Sequence, residues 1–167
     1  MRTATYWIRR LRLRKHPEGG YYREVYRAEE AIPARALPRR YGGRRAYSTA
    51  IYFLLRGRDV SRFHRLESDE TWHFYLGSSL TIHIISPNGK YTTVKLGGSG
   101  FQRTIPRRHW FGATVDDPKG FALIGCTVAP GFEFADFELG TRAELWSLCR
   151  GARSIVGRLT REGELSG

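Results

Sequence analysis

Apolar and polar residues alternate along most of this chain, and the alternation predicts short strands. The runs are rich in β-branched and aromatic residues, and glycine, proline or acidic corners separate them. The predicted strands cover residues 21–26, 46–55, 60–66, 71–76, 80–85, 91–96, 101–105, 110–115 and 121–128. Asn88-Gly89, between two of these runs, is the strongest short-range hairpin signal. Because helices do not alternate with the strands, the pattern predicts an all-β antiparallel sandwich or barrel.

Helical signals are confined to the two ends of the chain. Residues 6–13 place Trp7 and Leu11 on one face, which predicts a short N-terminal helix. Thr141 and Glu144 form a capping-box pattern that predicts the start of a C-terminal helix. Beyond Arg150 the sequence gives no clear packing face. We therefore expect a single domain over residues 1–150 and a partly ordered tail over residues 151–167.

The composition of the chain argues against several classes of protein. The chain has 167 residues, of which 41% are apolar, which suits one buried core. No apolar run approaches the ~20 residues of a membrane span, and the start of the chain lacks the apolar segment of a secretory signal. Cys126 and Cys149 are the only cysteines, so neither a disulfide framework nor a structural zinc site is expected. These features predict a cytoplasmic protein that does not enter a membrane.

Positive charge is concentrated in the first part of the chain. The net charge is +12, and residues 1–65 hold 17 basic against 5 acidic residues, whereas the remainder is balanced. Such asymmetry can mark a surface for nucleic acid or anionic ligands. Only 4 of the 28 basic residues are lysine, and no basic recognition helix or RNP-type strand accompanies them. Solvated loops are therefore the preferred interpretation, and nucleic-acid binding is not favoured.

The segment 61–77 holds the candidate chemistry of the chain. His64, Glu70 and His73 are residue types that bind metals or transfer protons near neutral pH. Alternation with period two puts His64 and Glu70 on one face and His73 on the other, if the strand after Glu70 is regular. His73 is then either a pocket residue or a histidine at an outer surface or a dimer interface. The other histidines are interpreted as structural or rim residues: His16, His83 and His109.

Four segments together resemble an uncharacterised branch of the cupin superfamily. They are HPEGGYYREVYR (16–27), SRFHRLESDETWHFYLGSSLTIHII (61–85), residues 106–113 and CTVAPGFEFADFELGTRAEL (126–145). The resemblance covers about residues 6–148. It implies a double-stranded β-helix, or jelly roll, with short terminal helices and one pocket in the barrel mouth. It also implies a homodimer.

The resemblance implies a metal-ligand pattern that this sequence keeps only in part. His64, Glu70 and Gly77 match the cupin spacing. Leu66 stands where the second histidine falls, and Phe111 stands where the last ligand falls. Two ligands alone seldom hold a divalent ion. We therefore expect no metal cofactor, and a metal-dependent cupin oxygenase or isomerase remains an alternative.

Together these observations predict a metal-independent isomerase, epimerase or cyclase of secondary or sugar metabolism. Metal-free cupin epimerases acting on nucleotide-linked sugars provide the analogy, at the level of fold only. His64 is the expected general base, Glu70 its orienting partner or the acid, and His73 a further catalytic candidate. Arg23 would hold an anionic group of the substrate. The full set of expected substrate contacts is Glu18, Tyr22, Arg23, Trp72, Phe74 and Phe111.

A second function class remains open at this stage. The same pocket could belong to a non-catalytic module that binds a small aromatic or anionic metabolite. Aromatic side chains in a barrel mouth supply the apolar wall that such a ligand needs. Binding without turnover would distinguish this alternative from an enzyme.

Overall fold

Antiparallel strands make up most of the molecule, and the computed structural model describes residues 2–161. In chain order the strands are β1 (Arg14–Lys15), β2 (Tyr21–Arg27), β3 (Ala31–Ile32), β4 (Arg45–Ala46), β5 (Thr49–Arg56), β6 (Val60–Leu66), β7 (Asp69–Gly77), β8 (Leu80–Ile85), β9 (Tyr91–Leu96), β10 (Gln102–Ile105), β11 (Trp110–Val115), β12 (Phe121–Ala129) and β13 (Phe137–Leu139). The α-helices are α1 (Ala4–Arg10), α2 (Arg142–Leu148) and α3 (Arg153–Leu159). Three single-turn 3₁₀ helices cover Ala34–Ala36, Phe134–Asp136 and Arg150–Ala152.

The strands form two main sheets. One sheet has the order β1-β2-β5-β12-β7-β10, and the other has the order β13-β6-β11-β8-β9. The short strands β3 and β4 pair with each other. The all-β jelly roll implied by the resemblance is confirmed. Of the two arrangements predicted, sandwich or barrel, the closed barrel is wrong, because the two sheets do not close on each other. The pocket predicted for a barrel mouth corresponds here to the space between two sheets.

The main core lies between the inner faces of the two sheets. Phe53 on β5 and Trp72 on β7 come from the first sheet, and they share one buried cluster with Ile82 on β8 and Phe111 on β11. Each of these side chains is 1–2% exposed or less. Alternation with period two explains this arrangement, since every second residue of a strand faces the opposite sheet.

Helices cover part of the outer face of each sheet. Trp7 and Leu11, in and just after α1, pack beside Leu54 and Phe121 on the first sheet. On the second sheet, α2 and α3 cover a buried cluster that includes Phe63 and Trp110. Within residues 2–161, no helix is long and apolar enough to span a membrane.

The helices differ from the sequence prediction in one important respect. The predicted cap of α2 is confirmed, because the Thr141 hydroxyl accepts a hydrogen bond from the Glu144 amide at 3.3 Å. Beyond Arg150, however, α3 has a packing face that the sequence did not reveal, since Val156 and Leu159 are fully buried. Residues 162–167 of the predicted tail lie outside the described residues.

Candidate active site

A cavity of about 240 Å³ opens between the two sheets. Its walls come from β1, β2, β5, β7 and β12 on one side and from β6 on the other. Four residues of the segment 132–137, which follows β12 and ends on the first residue of β13, line it as well: Phe132, Glu133, Phe134 and Phe137. We call this segment the roof. Inward-facing residues of neighbouring strands thus converge on one enclosed space, as alternation with period two requires.

A tight turn after β1 carries Glu18 into this cavity. Gly19 has a φ of +118°, and a Cβ atom there would lie 2.1 Å from the carbonyl oxygen of Val60. Only glycine allows so close an approach of the turn to β6. The Arg62 amide donates to the Glu18 carbonyl at 2.8 Å and fixes the turn on β6. The Gly-Gly pair of the HPEGG segment therefore places the Glu18 side chain beside the start of β6.

Glu18 and His64 form a buried pair. Oε2 of Glu18 lies 3.2 Å from Nε2 of His64, and both side chains are less than a tenth exposed. The Ser61 hydroxyl donates to Oε1 of Glu18 at 2.8 Å. Each carboxyl oxygen of Glu18 therefore has a polar partner on β6.

The tautomer of His64 follows from its second contact. Nδ1 lies 2.7 Å from the carbonyl oxygen of Arg62. A carbonyl only accepts, so Nδ1 carries the hydrogen and the neutral ring presents a lone pair at Nε2. Nε2 lies 3.2 Å from Oε2 of Glu18, which is close enough for proton exchange between the two groups. The ring is held in place by Phe111, whose centroid is 4.1 Å from that of His64.

Burial shifts the pKa of both members of this pair toward their neutral forms. Burial raises the pKa of Glu18, while neighbouring His16 and the Ser61 hydroxyl act in the opposite direction. Burial lowers the pKa of His64, partly offset by the Glu70 carboxyl and the hydrogen bond to the Arg62 carbonyl. Burial therefore favours the uncharged form of each group, and the short distance between Oε2 and Nε2 allows a proton to pass between them.

Glu70 on β7 is the second buried carboxyl of the cavity. Its pKa is raised to about 7, mainly by burial and also by Glu18, while His64 acts in the opposite direction. The Cys126 thiol and the Trp72 indole lie close enough to lower it slightly. Burial and the two carboxyls together raise the pKa of Cys126 well above its ordinary value. Cys126 is therefore a neutral neighbour of Glu70 and not a thiolate nucleophile.

His16 extends the cluster toward the cavity mouth. Its Nδ1 lies 3.5 Å from Oε2 of Glu18, and it accepts a hydrogen bond from the Glu18 amide at 3.3 Å. Burial lowers the pKa of His16, partly offset by Glu18. The ring packs edge-on against Tyr22, with centroids 4.5 Å apart. The interpretation of His16 as merely structural missed its place in the cavity lining.

The structure brings four of the predicted site residues together. His64 and Glu70 both line the cavity, as do Glu18 and Tyr22. His64 on β6 and Glu70 on β7 belong to different sheets, and both side chains reach the same cavity.

Two predicted residues lie elsewhere. His73 is on the opposite face of β7, where its Nε2 is 3.1 Å from the Thr127 hydroxyl. Arg23 follows Tyr22 on β2 and so faces the other side, where its guanidinium donates to the Leu11 carbonyl at 3.0 Å. Arg23 therefore ties the end of α1 to the sheet. In both cases strand alternation separates the residue from the cavity.

Three predicted aromatic contacts belong to the layer behind the cavity wall. Trp72 and Phe111 are buried in the core cluster, and Phe74 packs against it. None of the three lines the cavity. Phe111 supports His64 from behind, and Trp72 neighbours Glu70. Their influence on a ligand would be indirect.

The roof supplies the aromatic lining that the sequence reading did not assign. Phe132, Phe134 and Phe137 line the cavity and contact one another, with ring centroids 5.1–6.2 Å apart. Phe137 also lies 5.4 Å from the His64 ring. Their close spacing in FEFADF was a visible signal, but the lack of strand alternation there hid its meaning. Arg14 of β1 is a further lining residue that was missed.

A cupin metal centre does not fit these residues. Leu66 lines the cavity at the position of the second histidine, and Phe111 stacks on His64 at the position of the last ligand. The one free nitrogen of His64 faces Glu18. Within residues 2–161, no group of three or more His, Cys, Asp or Glu side chains has an arrangement that could hold a metal ion.

Fold and site together define a cupin-type pocket protein with an acid–base cluster. Comparison with known families agrees, since residues 5–140 match the cupin superfamily family DUF985. The chain belongs to that family. Among curated proteins, none matches the chain.

Solved structures place the chain beside two proteins of similar length. A protein from Shewanella oneidensis is 40% identical, with a TM-score of 0.87 over 98% of this chain and 100% of its own. A hypothetical protein from Leishmania major is 35% identical, with a TM-score of 0.86 over 96% of this chain and 100% of its own. Oxalate decarboxylase from Bacillus subtilis is only 14% identical, with a TM-score of 0.53 over 92% of this chain and 40% of its own. That last similarity concerns the fold alone.

Proposed function

We propose that this protein catalyses proton transfer on a small metabolite, as an isomerase, epimerase or cyclase that does not use a metal. The observation that supports this most directly is a single cavity lined by three buried groups able to exchange protons: Glu18, His64 and Glu70. Enzymes that move protons at neutral pH shift carboxyl and imidazole pKa values in this way by burial.

Glu70 is the group best matched to donating a proton. With a pKa of about 7, its acid and base forms are both well populated at neutral pH. The Glu18–His64 pair supplies the complementary base, because Nε2 of the neutral ring carries a lone pair and the Glu18 carboxyl, 3.2 Å away, can stabilise the imidazolium formed when the ring takes up a proton. The two functions thus belong to separate groups in one cavity.

A proton shift can be written on these groups without any other reactant. The Glu18–His64 pair removes a proton from a carbon next to a carbonyl, and Glu70 protonates the carbonyl oxygen, which gives an enol. In an isomerisation the carbon that lost its proton carries a hydroxyl, so the enol is an enediol. Glu70 then removes the proton from that second hydroxyl, and the pair returns its proton to the former carbonyl carbon. In an epimerisation Glu70 takes the proton back from the first oxygen, and the enol turns over in the cavity so that the pair returns its proton to the opposite face of the first carbon.

The remaining lining supports this chemistry by restricting water. Ile51 and Val128 from the sheet and the aromatic rings of the roof give the cavity a largely apolar wall. In such surroundings electrostatic interactions are stronger than in water. Developing charge on a substrate would therefore respond strongly to Glu70 and His64.

Solvent deuterium exchange tests the proposal. The protein is incubated in D₂O with a library of small carbonyl metabolites, and mass spectrometry detects carbon-bound deuterium. We expect a substrate whose exchange is lost in His64→Gln and Glu70→Gln but kept in His73→Gln, since His73 lies outside the cavity. Exchange that persists in both cavity variants would contradict the proposal.

Ligand binding without turnover is the second candidate. The aromatic roof beside Tyr22 favours it, because rings of this kind hold small planar ligands. A compound that shifts the His64 imidazole resonances in NMR spectra, yet shows no exchange, would support this candidate over the first.

A further inference from the structure

Arg14 is an exposed cationic side chain at the mouth of the cavity. Arg14 on β1 lines the cavity and pairs in register with Tyr22. Its guanidinium carbon lies 5.0 Å from the centroid of the Tyr22 ring. Within residues 2–161, it makes no hydrogen bond or ion pair. A guanidinium that rests on an aromatic ring keeps its N–H groups available for a ligand.

The second cation of the lining is already neutralised. Arg27 donates to both carboxyl oxygens of Glu24, at 3.1 and 2.9 Å, and to Glu133 at 2.7 Å. A ligand anion would have to compete with two carboxylates for this guanidinium. Arg14 is therefore the better anchor for a negative group.

The inner end of the cavity disfavours an anion. Glu18 and Glu70 are both buried there, and burial raises the pKa of each carboxyl. A negative group beside them would meet either repulsion or a further cost of burial. The two ends of the cavity thus differ, and they would orient a ligand with its anionic group at Arg14.

A positively charged ligand would act against the proposed chemistry. An ammonium group near Glu18 and Glu70 would hold both carboxyls in their ionised forms. Glu70 would then have no proton to donate at neutral pH. The proton-transfer function therefore favours an anionic ligand over a cationic one.

We propose that the cavity takes a small monocarboxylate with a planar, apolar body. Its carboxylate pairs with Arg14 at the mouth, its body lies against Phe132, Phe134 and Phe137, and its reacting carbon faces Glu70 and the Glu18–His64 pair. A single guanidinium suits a carboxylate, which it binds through two parallel hydrogen bonds. This inference rests on the proton-transfer function for its choice of charge.

Matched acids, amides and amines test the anchor by binding alone. Benzoate, phenylacetate and cinnamate are each titrated against the corresponding amide, with benzylamine as the cationic probe, and NMR follows the His16 and His64 imidazole resonances. We expect at least one acid to bind at millimolar concentrations and to bind about tenfold more tightly than its amide, since one charge-assisted hydrogen-bond pair is at stake.

Two variants assign the effect to Arg14. Arg14→Gln should weaken binding of the acid about tenfold and leave binding of the amide unchanged. Lys15→Gln is the matched control, because Lys15 is the neighbouring residue of β1 and does not line the cavity. It should leave both affinities unchanged.

Several outcomes would overturn the inference. One is that an amide or benzylamine binds as tightly as the acids, and another is that none of the three acids binds. A third is that the affinity for an acid is the same in Arg14→Gln as in wild type. Because this assay measures binding, it is independent of turnover. Arg14-dependent binding of an acid without deuterium exchange would refute only the catalytic function, whereas exchange on uncharged compounds without any preference for acids would refute only the anchor.

Discussion

The ionisation of Glu70 depends on the groups around it. His64 and the Cys126 and Trp72 side chains favour its ionised form, whereas burial and Glu18 favour the protonated form. The Trp72 indole N–H is buried and, within residues 2–161, has no hydrogen-bond partner. A buried donor without a partner is costly. Because the Trp72 indole also lowers the pKa of Glu70, the ionised Glu70 carboxylate would give this N–H group an acceptor.

Substitution of the two neighbours should move the pKa of Glu70 in opposite directions. In Glu18→Gln the pKa of Glu70 should fall, because the repulsion from a second carboxylate is lost. In His64→Gln it should rise, because the imidazole that favours the carboxylate is lost. Carboxyl ¹³C NMR titration of labelled protein measures both shifts. Shifts of the same sign in both variants would show that the three groups do not form one coupled cluster.

The roof is held above the cavity by a buried ion pair. Nε and Nη2 of Arg45 each donate to a carboxyl oxygen of Asp136 at 2.6 Å, and both side chains are nearly inaccessible to solvent. Asp136 is the last residue of the one-turn 3₁₀ helix Phe134–Asp136, which begins with the cavity-lining Phe134. An ion pair on β4 thus fixes the position of the aromatic cavity lining.

Loss of the charge on Asp136 should destabilise the protein strongly. Asp136→Asn keeps the size of the side chain but leaves Arg45 buried without a counter-charge, which typically costs about 3 to 5 kcal/mol. Urea denaturation gives the free energy of unfolding. Glu138→Gln is the control, because Glu138 pairs with Arg65 at 2.7 Å on the surface and such pairs contribute about 0 to 1 kcal/mol. Equal costs for the two variants would contradict a special role for the buried pair.

Helix α3 completes the cluster on the outer face of the second sheet. Leu159 and Val156 pack there with Trp110 and Phe63, and all four are buried. A Cβ atom built on Gly112 of β11 would lie only 2.9 Å from Cδ2 of Leu159. The helix therefore packs directly on the strand that supports His64 through Phe111.

Truncation of Leu159 tests whether this helix is part of the folded unit. Leu159→Ala should lower the free energy of unfolding by about 2 to 5 kcal/mol, since a buried leucine is replaced and a cavity remains. Ser154→Ala, at an exposed position of the same helix, should change it by no more than about 0.5 kcal/mol. A cost for Leu159→Ala as small as that of Ser154→Ala would mean that α3 contributes little to stability.

At the scale of the whole molecule, the alternation of apolar and polar residues predicted most of the strands. Strands β6, β8, β9 and β11 have the predicted bounds, because apolar alternation and flanking turn residues coincide there. The two-residue strands β1, β3 and β4 are too short to show a period. Helix α3 was missed because Gly157 and two arginines interrupt its apolar positions, so its buried face becomes clear only against the sheet.

The candidate site was predictable where local spacing determined it. His64 and Glu70 follow from cupin spacing and from their shared parity, and parity also separates His73 from them. Arg14 and the roof depend instead on pairing between distant segments, such as Arg14 with Tyr22. Sequence spacing alone does not reveal such contacts. Arg23, which was expected to hold an anionic group, lines no part of the cavity, whereas Arg14, which was not considered, does.

The buried acid–base cluster should also make the stability of the whole protein depend on pH. The pKa of Glu70 is about 7 in the folded protein, against an ordinary value of 4.5. Between these values the folded state binds more protons than the unfolded state, so the free energy of unfolding decreases as pH rises. The contribution is fully present below about pH 4.5 and is lost by about pH 7, and it amounts to about 3 kcal/mol.

The histidines of the cluster have the opposite effect, and a variant separates the two. Burial lowers the pKa of His16 and His64, so acidification below about pH 6.5 favours the unfolded state, which takes up those protons. Glu70→Gln resembles the protonated carboxyl and cannot ionise. The free energy of unfolding of Glu70→Gln minus that of wild type, measured by urea denaturation, should therefore be larger at about pH 8 than at about pH 5, by about 3 kcal/mol. A difference that stays constant across this range would mean that Glu70 is not a buried carboxyl with a raised pKa, and the proposed proton donor would be lost with it.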